Sequence, residues 1–436
     1  MRGTAALLAL MLVCAPCMAA SGPDCRQGLL ERLGWRFLTA DVPAPRILPG
    51  AVCQRGDLAE AQAHGDLRVQ LPPRLDAHAH DELMRRLLDH PATVCAFGFR
   101  VGDAARRAAG ALQANEGYRF SGLQLGWIGF GLRGAAAQGW QATRSLGRGY
   151  QPLASNSRAL NAFYQGNVRS ECGVGRQVAQ LATQRELHGD AGFDAAFHND
   201  ELGIGTFLTL HDTHSILLGA HAGELFADGK AVRTSAMGRQ AFMGVPGYIT
   251  HAYGRDTLDD LNNQAENFIV VDVGADAAAA LQAHGGLSWY DRRNLELWQL
   301  SRQIPRRGVR FFERLLDERE PALRASLNDA ETAVLQRMQA VLDDPFYRQF
   351  LIYVHPRGIK PMGHHIVRLL DRNPRTPFEV ELTMHNLHTT LYRRWQQAQL
   401  GHCAASGLPG SLTSDSDSDS DSGPGGAVRR NLPTQR

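Results

Sequence analysis

The stretch Ser170-Glu171-Cys172-Gly173-Val174-Gly175-Arg176-Gln177-Val178-Ala179-Gln180-Leu181-Ala182 decides how the middle of this chain folds. Ser170 suits the N-cap position of a helix, and Gly189 is a favoured residue just beyond a helix C-terminus. Apolar residues recur between them at helical spacing: Val174, Val178, Leu181 and Ala182. This periodicity predicts an amphipathic helix that begins after Ser170, stops at Gly189 and packs one face against a core.

Cys172 falls on the first turn of this predicted helix, and Glu171 lies beside it. Unpaired backbone N–H groups and the positive end of the helix dipole stabilise a thiolate at that position. Enzymes that transfer acyl groups through a thioester use such a cysteine as the nucleophile. A buried structural thiol, or half of a disulfide, is the alternative, because unreactive cysteines are often simply buried. The residues of the helix leave both interpretations open.

The first 20 residues have the features of a secretory signal peptide. An arginine near the start is followed by the apolar run Ala5–Val13 and by small residues that end at Met18-Ala19-Ala20. This pattern predicts cleavage near Ala19 or Ala20. No other apolar run reaches the roughly 18 residues that a transmembrane helix needs. We therefore expect a protein that is exported, to the periplasm or beyond the cell, and that has no membrane span.

Export would place the cysteines in an oxidising compartment. The chain has 7 cysteines, and removal of Cys14 and Cys17 with the signal peptide leaves an odd number. At least one cysteine then has no partner within the chain, and we expect this to be Cys172. Connectivity cannot be read from sequence, so our pairing of the others is a hypothesis: Cys25 with Cys53, and Cys95 with Cys403.

The composition is that of an ordinary globular chain. Its 46 basic and 44 acidic residues give a formal net charge of +2, which excludes the strongly basic footprint of a nucleic-acid-binding protein. The length allows two or three domains. We divide the chain into a signal peptide (1–20), an N-terminal α/β segment (21–160), a cysteine-containing core (161–290), a helical region (291–403) and a disordered tail (404–436).

The N-terminal α/β segment contains four elements that the pattern of apolar residues predicts. Alternation predicts a strand at Leu67–Leu71, and Glu82–Asp89 has helical spacing. The apolar run Val94–Arg100 indicates a second strand, followed by an Ala/Arg-rich helix at Ala104–Gln113.

The region after residue 291 is strongly helical in pattern, and Asn328 followed by Glu331 is a helix-start signal. The predicted helices are Arg293–Arg302, Val309–Glu318, Asn328–Leu342, Pro345–Val354, His365–Leu370 and Met384–Gln399. The alternating Ser and Asp residues of Ser414–Ser422 cannot bury a core, so we expect the tail to be disordered.

No metal site is predicted. The stretch Asp76-Ala77-His78-Ala79-His80-Asp81 follows Pro72-Pro73 rather than an apolar strand, so it more closely matches the polar entrance to a helix. His211 and His214 lack the glutamate and third ligand of a zinc-binding helix, and they are expected in a loop, where one could line a cleft.

No nucleotide cofactor is predicted either. Gly129-Phe130-Gly131-Leu132-Arg133-Gly134 matches the glycine pattern of dinucleotide-binding folds. That pattern also needs an acidic residue about 20 positions later to bind the ribose. The first acidic residue after Gly134 is Glu171, which is too distant, so we expect a glycine-rich turn and no cofactor.

The best β-strand pattern in the chain is Phe268-Ile269-Val270-Val271-Asp272-Val273, because of its β-branched residues. Glu266 comes immediately before this run, where its carboxylate could face the start of the Cys172 helix. An earlier turn and strand open at Pro246-Gly247, and His251 lies just beyond them.

These segments occur in an order that resembles the bacterial spore-coat type transglutaminases, over about residues 167–286. The segments that carry the resemblance are Glu171-Cys172, Pro246-Gly247, Gln264-Ala265-Glu266-Asn267-Phe268-Ile269 and His284-Gly285-Gly286. The resemblance implies an α+β fold with a papain-like core related to the NlpC-type cysteine hydrolases. It also implies calcium-independent joining of glutamine side chains to lysine amines, with proteins that expose Gln and Lys as substrates.

Carried over by residue, the resemblance makes Cys172 the nucleophile and Glu266 and Glu171 its candidate acid/base partners. His284 corresponds loosely to a histidine of the family. Two alternative functions give the same thiol different roles. With His251 or His284 as the base, Cys172 would serve a peptidase or amidase acting on cell-wall peptides. In a non-catalytic exported binding protein, Cys172 would be inert.

Overall fold

A computed structural model describes residues 25–48, 67–120, 139–142, 150–199, 202–205, 234–252, 264–317, 320–372, 376–382 and 387–405. The predicted signal peptide, residues 406–436 of the predicted tail, Cys53, the glycine-rich turn, His211 and His214 lie outside these residues. The described part combines helices with strands, which confirms the α+β class. Within it, no helix combines the length and apolar character required to cross a membrane.

The elements are numbered in chain order. The α-helices are α1 (Cys25–Arg32), α2 (Ala77–Leu88), α3 (Pro91–Ala114), α4 (Asn156–Gln165), α5 (Cys172–Ala196), α6 (Ala275–His284), α7 (Leu287–Ser301), α8 (Phe311–Leu316), α9 (Pro321–Ala325), α10 (Asp329–Leu342), α11 (Pro345–Gln349), α12 (Met362–Arg372) and α13 (Leu387–Ala405). The strands are β1 (Trp35–Thr39), β2 (Arg46–Ile47), β3 (Leu67–Leu71), β4 (Tyr118–Phe120), β5 (Trp140–Ala142), β6 (Tyr150–Pro152), β7 (Val168–Ser170), β8 (Pro246–His251), β9 (Gln264–Val273), β10 (Phe350–Val354), β11 (Gly358–Pro361) and β12 (Phe378–Leu382).

A five-stranded antiparallel sheet organises the core, in the order β11-β10-β9-β8-β12. Its central strand β9 has four consecutive fully buried residues, Phe268 to Val271, followed by the partly exposed Asp272 and the buried Val273. Burial on both faces explains the continuous apolar run, since a strand exposed on one side would alternate. Smaller sheets pair β1 and β2 with β3, β4 with β7, and β5 with β6.

Helices cover both faces of the large sheet. On one face α3 and α5 pack against each other and against β9, while α7 and α12 contact the strands β12 and β10. Two neighbouring residues of β9 contact helices on opposite faces of the sheet, because successive side chains of a strand point to opposite faces. Asn267 reaches α5, and Glu266 reaches α12.

Helix α5 begins where the sequence predicts, but its cap is different. Glu171, rather than Ser170, occupies the N-cap, and Ser170 ends strand β7 with a hydrogen bond to Tyr118. At Gly189 the backbone adopts a positive φ of 70°, which glycine tolerates, so the regular helix is interrupted there as predicted. Helical structure then resumes and continues to Ala196.

The prediction of a strand at Val94–Arg100 is wrong, because this segment belongs to the long helix α3. Short apolar runs do not distinguish a buried strand from a buried helix. His90 caps α3 through a hydrogen bond to the Ala92 N–H, and Pro91 occupies its first turn. The segment is apolar around most of its circumference because α5 and the sheet both pack on α3.

Two helix starts and one strand in the sequence analysis are confirmed. Asp76 accepts a hydrogen bond from the Ala79 N–H and so caps α2, as the polar entrance to a helix should. Asn328 and Glu331 form a reciprocal capping box at α10. Strand β3 occupies Leu67–Leu71, the range that alternation predicts.

The region after residue 291 is not purely helical, since it contributes β10, β11 and β12 to the large sheet. The predicted helix Pro345–Val354 divides at Phe350 into the short helix α11 and the strand β10. Phe350-Leu351-Ile352-Tyr353-Val354 is rich in aromatic and β-branched residues, which favour strands. Residues 246–273 and 350–382 therefore share one sheet.

The proposed disulfide pairing is wrong for Cys25 and Cys403, which are bonded to each other. This bond joins the first and last described helices, α1 and α13, which also pack together. Cys95 is disulfide-bonded as well. Among the described residues Cys172 is the free cysteine, as the sequence analysis expects.

Candidate active site at the start of helix α5

Cys172 is partly exposed at the start of α5, beside a carboxylate that is folded back onto the helix. The Glu171 side chain accepts hydrogen bonds from the N–H groups of Gly173 at 2.7 Å and Val174 at 2.6 Å. Gly173 leaves room for this carboxylate, since a Cβ there would lie 2.7 Å from Oε1. The Cys172 thiol is within hydrogen-bonding reach of the same carboxylate.

Asn267 on β9 contacts the sulfur from the sheet side. Its Nδ2 lies 3.4 Å from the Cys172 Sγ and donates a hydrogen bond, and the backbone N–H of Asn267 also favours the thiolate. The Asn267 amide is therefore placed to bind negative charge that develops on the sulfur or next to it.

The pKa of Cys172 is raised by burial, and then by the negative charge of Glu171. Hydrogen bonds from Asn267 act in the opposite direction but do not reverse the shift. The direction of this shift runs against the expectation that the helix start alone holds a thiolate near neutral pH, because desolvation is its largest cause. Burial also raises the pKa of Glu171, which makes its carboxylate a stronger base.

Arg176 and Arg368 both interact electrostatically with the thiol, and Tyr248 interacts with Arg176. Arg176 follows Cys172 by one turn of α5 and interacts electrostatically with Glu171, Cys172 and Tyr248. Tyr248 lies opposite Asn267 on the neighbouring strand β8 and donates a hydrogen bond to Glu381 at 2.9 Å. Positive charge from Arg176 offsets part of the cost of forming a thiolate beside the Glu171 carboxylate.

Glu266 faces the other side of the sheet. Only 2% of it is exposed, and its carboxylate binds His365 Nδ1 at 2.5 Å and forms an ion pair with Arg368. Both partners lie on α12. The structure therefore brings Cys172 and Glu171 together, while Glu266 anchors α12 beneath the strand that carries Asn267.

The two predicted histidines lie in other surroundings. The His251 Nδ1 hydrogen-bonds Thr376 at 2.7 Å, and the His251 ring packs on Phe378. His284 ends α6 and stacks on Trp289 with ring centroids 4.0 Å apart. Within the described residues, no three His, Cys, Asp or Glu side chains are grouped as metal ligands would be.

Sequence reasoning missed Asn267, Arg176 and the two α12 residues that hold Glu266. A signal for Asn267 was available, because it follows Glu266 in a strand and must point to the opposite face. Arg176 is four residues after Cys172 and so shares its helix face. His365 and Arg368 are about 100 positions from Glu266, and nothing local connects them to it.

Comparison with known proteins returned no matching protein family, no matching curated protein and no matching solved structure.

Proposed function

We propose that this chain is a cysteine-dependent acyltransferase that forms isopeptide bonds between glutamine and lysine side chains of exported proteins. One observation carries the proposal: a free, partly exposed cysteine at a helix start, in reach of the Glu171 carboxylate and the Asn267 amide. A nucleophile, a base and a hydrogen-bond donor for an oxyanion are the groups that acyl transfer through a thioester requires.

In the proposed reaction, Glu171 takes the thiol proton as the Cys172 sulfur attacks the glutamine carboxamide carbon. The resulting oxyanion accepts a hydrogen bond from the Asn267 side chain. The tetrahedral intermediate expels ammonia, which takes its proton from Glu171, and a thioester remains. A lysine amine then attacks the thioester, Glu171 accepts the amine proton, and the thiol leaves with that proton to restore the enzyme.

Glu266 has a supporting role in this proposal. Its carboxylate holds His365 and Arg368 of α12, and its strand neighbour Asn267 holds the sulfur. Loss of the Glu266 carboxylate would leave the buried Arg368 charge unpaired, which is costly and would disturb β9. Glu266 is thus a positioning residue for Asn267, and Glu171 is the acid/base group.

A carboxylate base favours the transferase over a Cys–His peptidase or amidase. Glu171 is in reach of Cys172, whereas His251 binds Thr376 and His284 stacks on Trp289. We further propose a papain- or NlpC-like core, since a cysteine-bearing helix packed on an antiparallel sheet is the arrangement that the sequence resemblance implies. Export follows from the signal-peptide pattern of residues 1–20.

The test is incorporation of a fluorescent primary amine into a glutamine-rich protein. Mature protein should attach the amine and release an equal amount of ammonia. Cys172→Ala should abolish both while leaving the circular dichroism spectrum and the thermal unfolding midpoint unchanged. Glu186→Gln, which changes a carboxylate on the same helix that pairs with Arg107, should retain activity.

Other outcomes separate the remaining functions. Release of peptidoglycan fragments without amine incorporation would reject the transferase in favour of a hydrolase that uses the same thiol. The absence of any activity that depends on Cys172, in protein that is folded, would favour a non-catalytic binding protein.

A further inference from the structure

A cavity of about 460 Å³ opens on the side of the molecule where α12 packs against the segment before α8. Arginine dominates its lining. The residues around it are Arg306, Gly308, Val309, Arg310, Glu313, Arg368, Asp371 and Arg372. Four arginines against two acidic residues give the lining an excess of positive charge.

Asp371, one of the two acidic residues, already has partners. Asp371 accepts hydrogen bonds from the backbone N–H groups of Phe312 at 3.1 Å and Glu313 at 3.0 Å. It also forms an ion pair with Arg306 at 3.4 Å. The Asp371 carboxylate therefore stabilises the turn that leads into α8 and pairs with Arg306. It does not neutralise the other arginines of the cavity.

Arg310 and Arg372 form no ion pair within the described part of the chain. Arg310 also has a left-handed backbone, with φ of 50°, a conformation that costs a non-glycine residue energy and that persists only when its surroundings impose it. Arg372 ends α12, one turn from Arg368. Two like charges at this spacing repel each other unless an anion lies between them.

Arg368 supplies the buried part of the lining. Only 7% of it is exposed, and its Nε is buried without a hydrogen-bond partner although its Nη2 pairs with Glu266. The Arg368 guanidinium brings further positive charge to the floor of the cavity.

We propose that this arginine cavity binds an oxyanion, such as the phosphate or carboxylate group of a larger molecule. Guanidinium groups match such groups because their N–H donors form a planar fork. Arg310 and Arg372 would bind the anion from the rim, and Arg368 from the floor. The volume exceeds that of an isolated phosphate, and the 85% exposed Val309 offers apolar contact for the rest of the ligand.

The test uses the full mature protein and two probes, inorganic phosphate and acetate, at an ionic strength held constant with sodium chloride. Thermal unfolding is followed as each probe is titrated. A saturable rise in the unfolding midpoint is expected with at least one probe, because a ligand that binds only the folded state stabilises it. Phosphate alone, acetate alone or both would identify which anion the cavity accepts.

Substitutions of the cavity arginines test whether the anion binds in the cavity. Arg372→Gln and Arg310→Asn should each weaken binding by about tenfold or more, the loss expected for one hydrogen bond to a charged group. Asparagine is chosen at position 310 because it tolerates a left-handed backbone. Arg393→Gln, an equal charge change at an exposed site on α13, should bind as the unmodified protein does.

Two results would overturn the proposal. One is the absence of saturable stabilisation by either probe relative to chloride. The other is equal weakening in Arg393→Gln and in the cavity variants, which would indicate a general response to net charge. Since Arg310 is exposed and makes no ion pair in the described residues, its variant keeps the test decisive even if Arg372→Gln folds poorly.

Discussion

At the scale of single residues, the Cys172 sulfur is held between two groups with opposite effects. The Glu171 charge raises the thiol pKa, and the Asn267 hydrogen bonds lower it. A nucleophile with a raised pKa needs a base at the moment of attack. Glu171, which raises the thiol pKa after burial does, is also in reach of the proton. Substitution of each neighbour should therefore move the thiol pKa in a different direction.

Glu171→Gln should lower the pKa of Cys172, because it removes the adjacent negative charge and keeps the shape of the side chain. The rate of alkylation by iodoacetamide, followed against pH, should rise at lower pH than in the unmodified protein. Acyl transfer should nevertheless fall by roughly 10²–10⁴-fold, the usual contribution of a general base. Glu186→Gln is the control. A midpoint of alkylation that stays in place or moves upward would contradict the assigned electrostatics.

Asn267→Ala should raise the pKa of Cys172, because a hydrogen bond to the thiolate is lost. Alkylation should then require higher pH, and acyl transfer should fall by roughly 10²–10³-fold if the amide also binds the oxyanion. Asn161→Ala, at an exposed residue of α4, is the matched control. Unchanged alkylation in Asn267→Ala would mean that the 3.4 Å contact has no influence on the thiol.

At the scale of elements, the position of α5 depends on a glycine that faces a histidine. A Cβ on Gly175 would overlap the His355 side chain, so α5 can lie this close to His355 because residue 175 is glycine. His355 in turn stacks on Tyr118, with ring centroids 3.8 Å apart, and Tyr118 binds Ser170 just before the helix. This close packing fixes the helix that carries Cys172.

Gly175→Ala should therefore destabilise the protein by about 1–3 kcal/mol, the usual cost of overpacking a core. Gly110→Ala in α3 is the matched control, because a Cβ there meets no atom within 4 Å. That control should be neutral or stabilising by about 0.5–1 kcal/mol, since alanine favours the helix interior over glycine. Urea unfolding measures both. Equal stability in the two variants would contradict the close approach of α5 to His355.

The sequence predicted those helices and strands whose start or character depends on residues only a few positions apart. The start of α5, the cap at Asp76 and the box at Asn328 all depend on contacts over three or four positions. Strand β9 was recognised from its β-branched run, although it begins earlier, at Gln264. The strand predicted at Val94–Arg100 failed because tertiary packing, rather than propensity, decides whether an apolar run is a helix.

The candidate site was predictable only in part, for the same reason. Cys172 and Glu171 are adjacent in sequence, so their proximity needs no tertiary information. The role of Asn267 needs the sheet register, and the engagement of Glu266 by His365 and Arg368 needs the position of α12. Long-range pairing also defeated the disulfide prediction, because Cys25 and Cys403 are 378 positions apart.

At the scale of the whole molecule, the interior holds several histidines in the neutral form. Burial lowers the pKa of His188, His355 and His388 to about 4 and that of His365 to about 3. They lie in different parts of the fold: His188 on α5, His355 after β10, His365 on α12 and His388 on α13. Each can bind a proton more readily in the unfolded chain than in the folded protein.

These histidines predict a loss of stability in mild acid. In the unfolded chain their pKa is near 6.5. The folded protein therefore has its full stability, as far as these histidines determine it, above pH 6.5, and loses stability as the pH falls toward about 4. Between pH 6.5 and 5 the unfolded chain takes up the additional protons, and each histidine contributes up to about 1.4 kcal/mol per pH unit. Urea unfolding at pH 7.5, 6.0 and 5.0 should show a falling free energy of unfolding.

His388→Gln gives a decisive comparison, because glutamine can still donate a hydrogen bond to the Met243 carbonyl that His388 contacts at 2.5 Å. The variant loses one titrating group, so its stability should depend less steeply on pH than that of the unmodified protein. His284→Gln, the same exchange at an exposed histidine that stacks on Trp289, is the matched control. An unfolding free energy that does not change between pH 7.5 and 5.0 would show that the pKa values of the buried histidines do not differ between the folded protein and the unfolded chain.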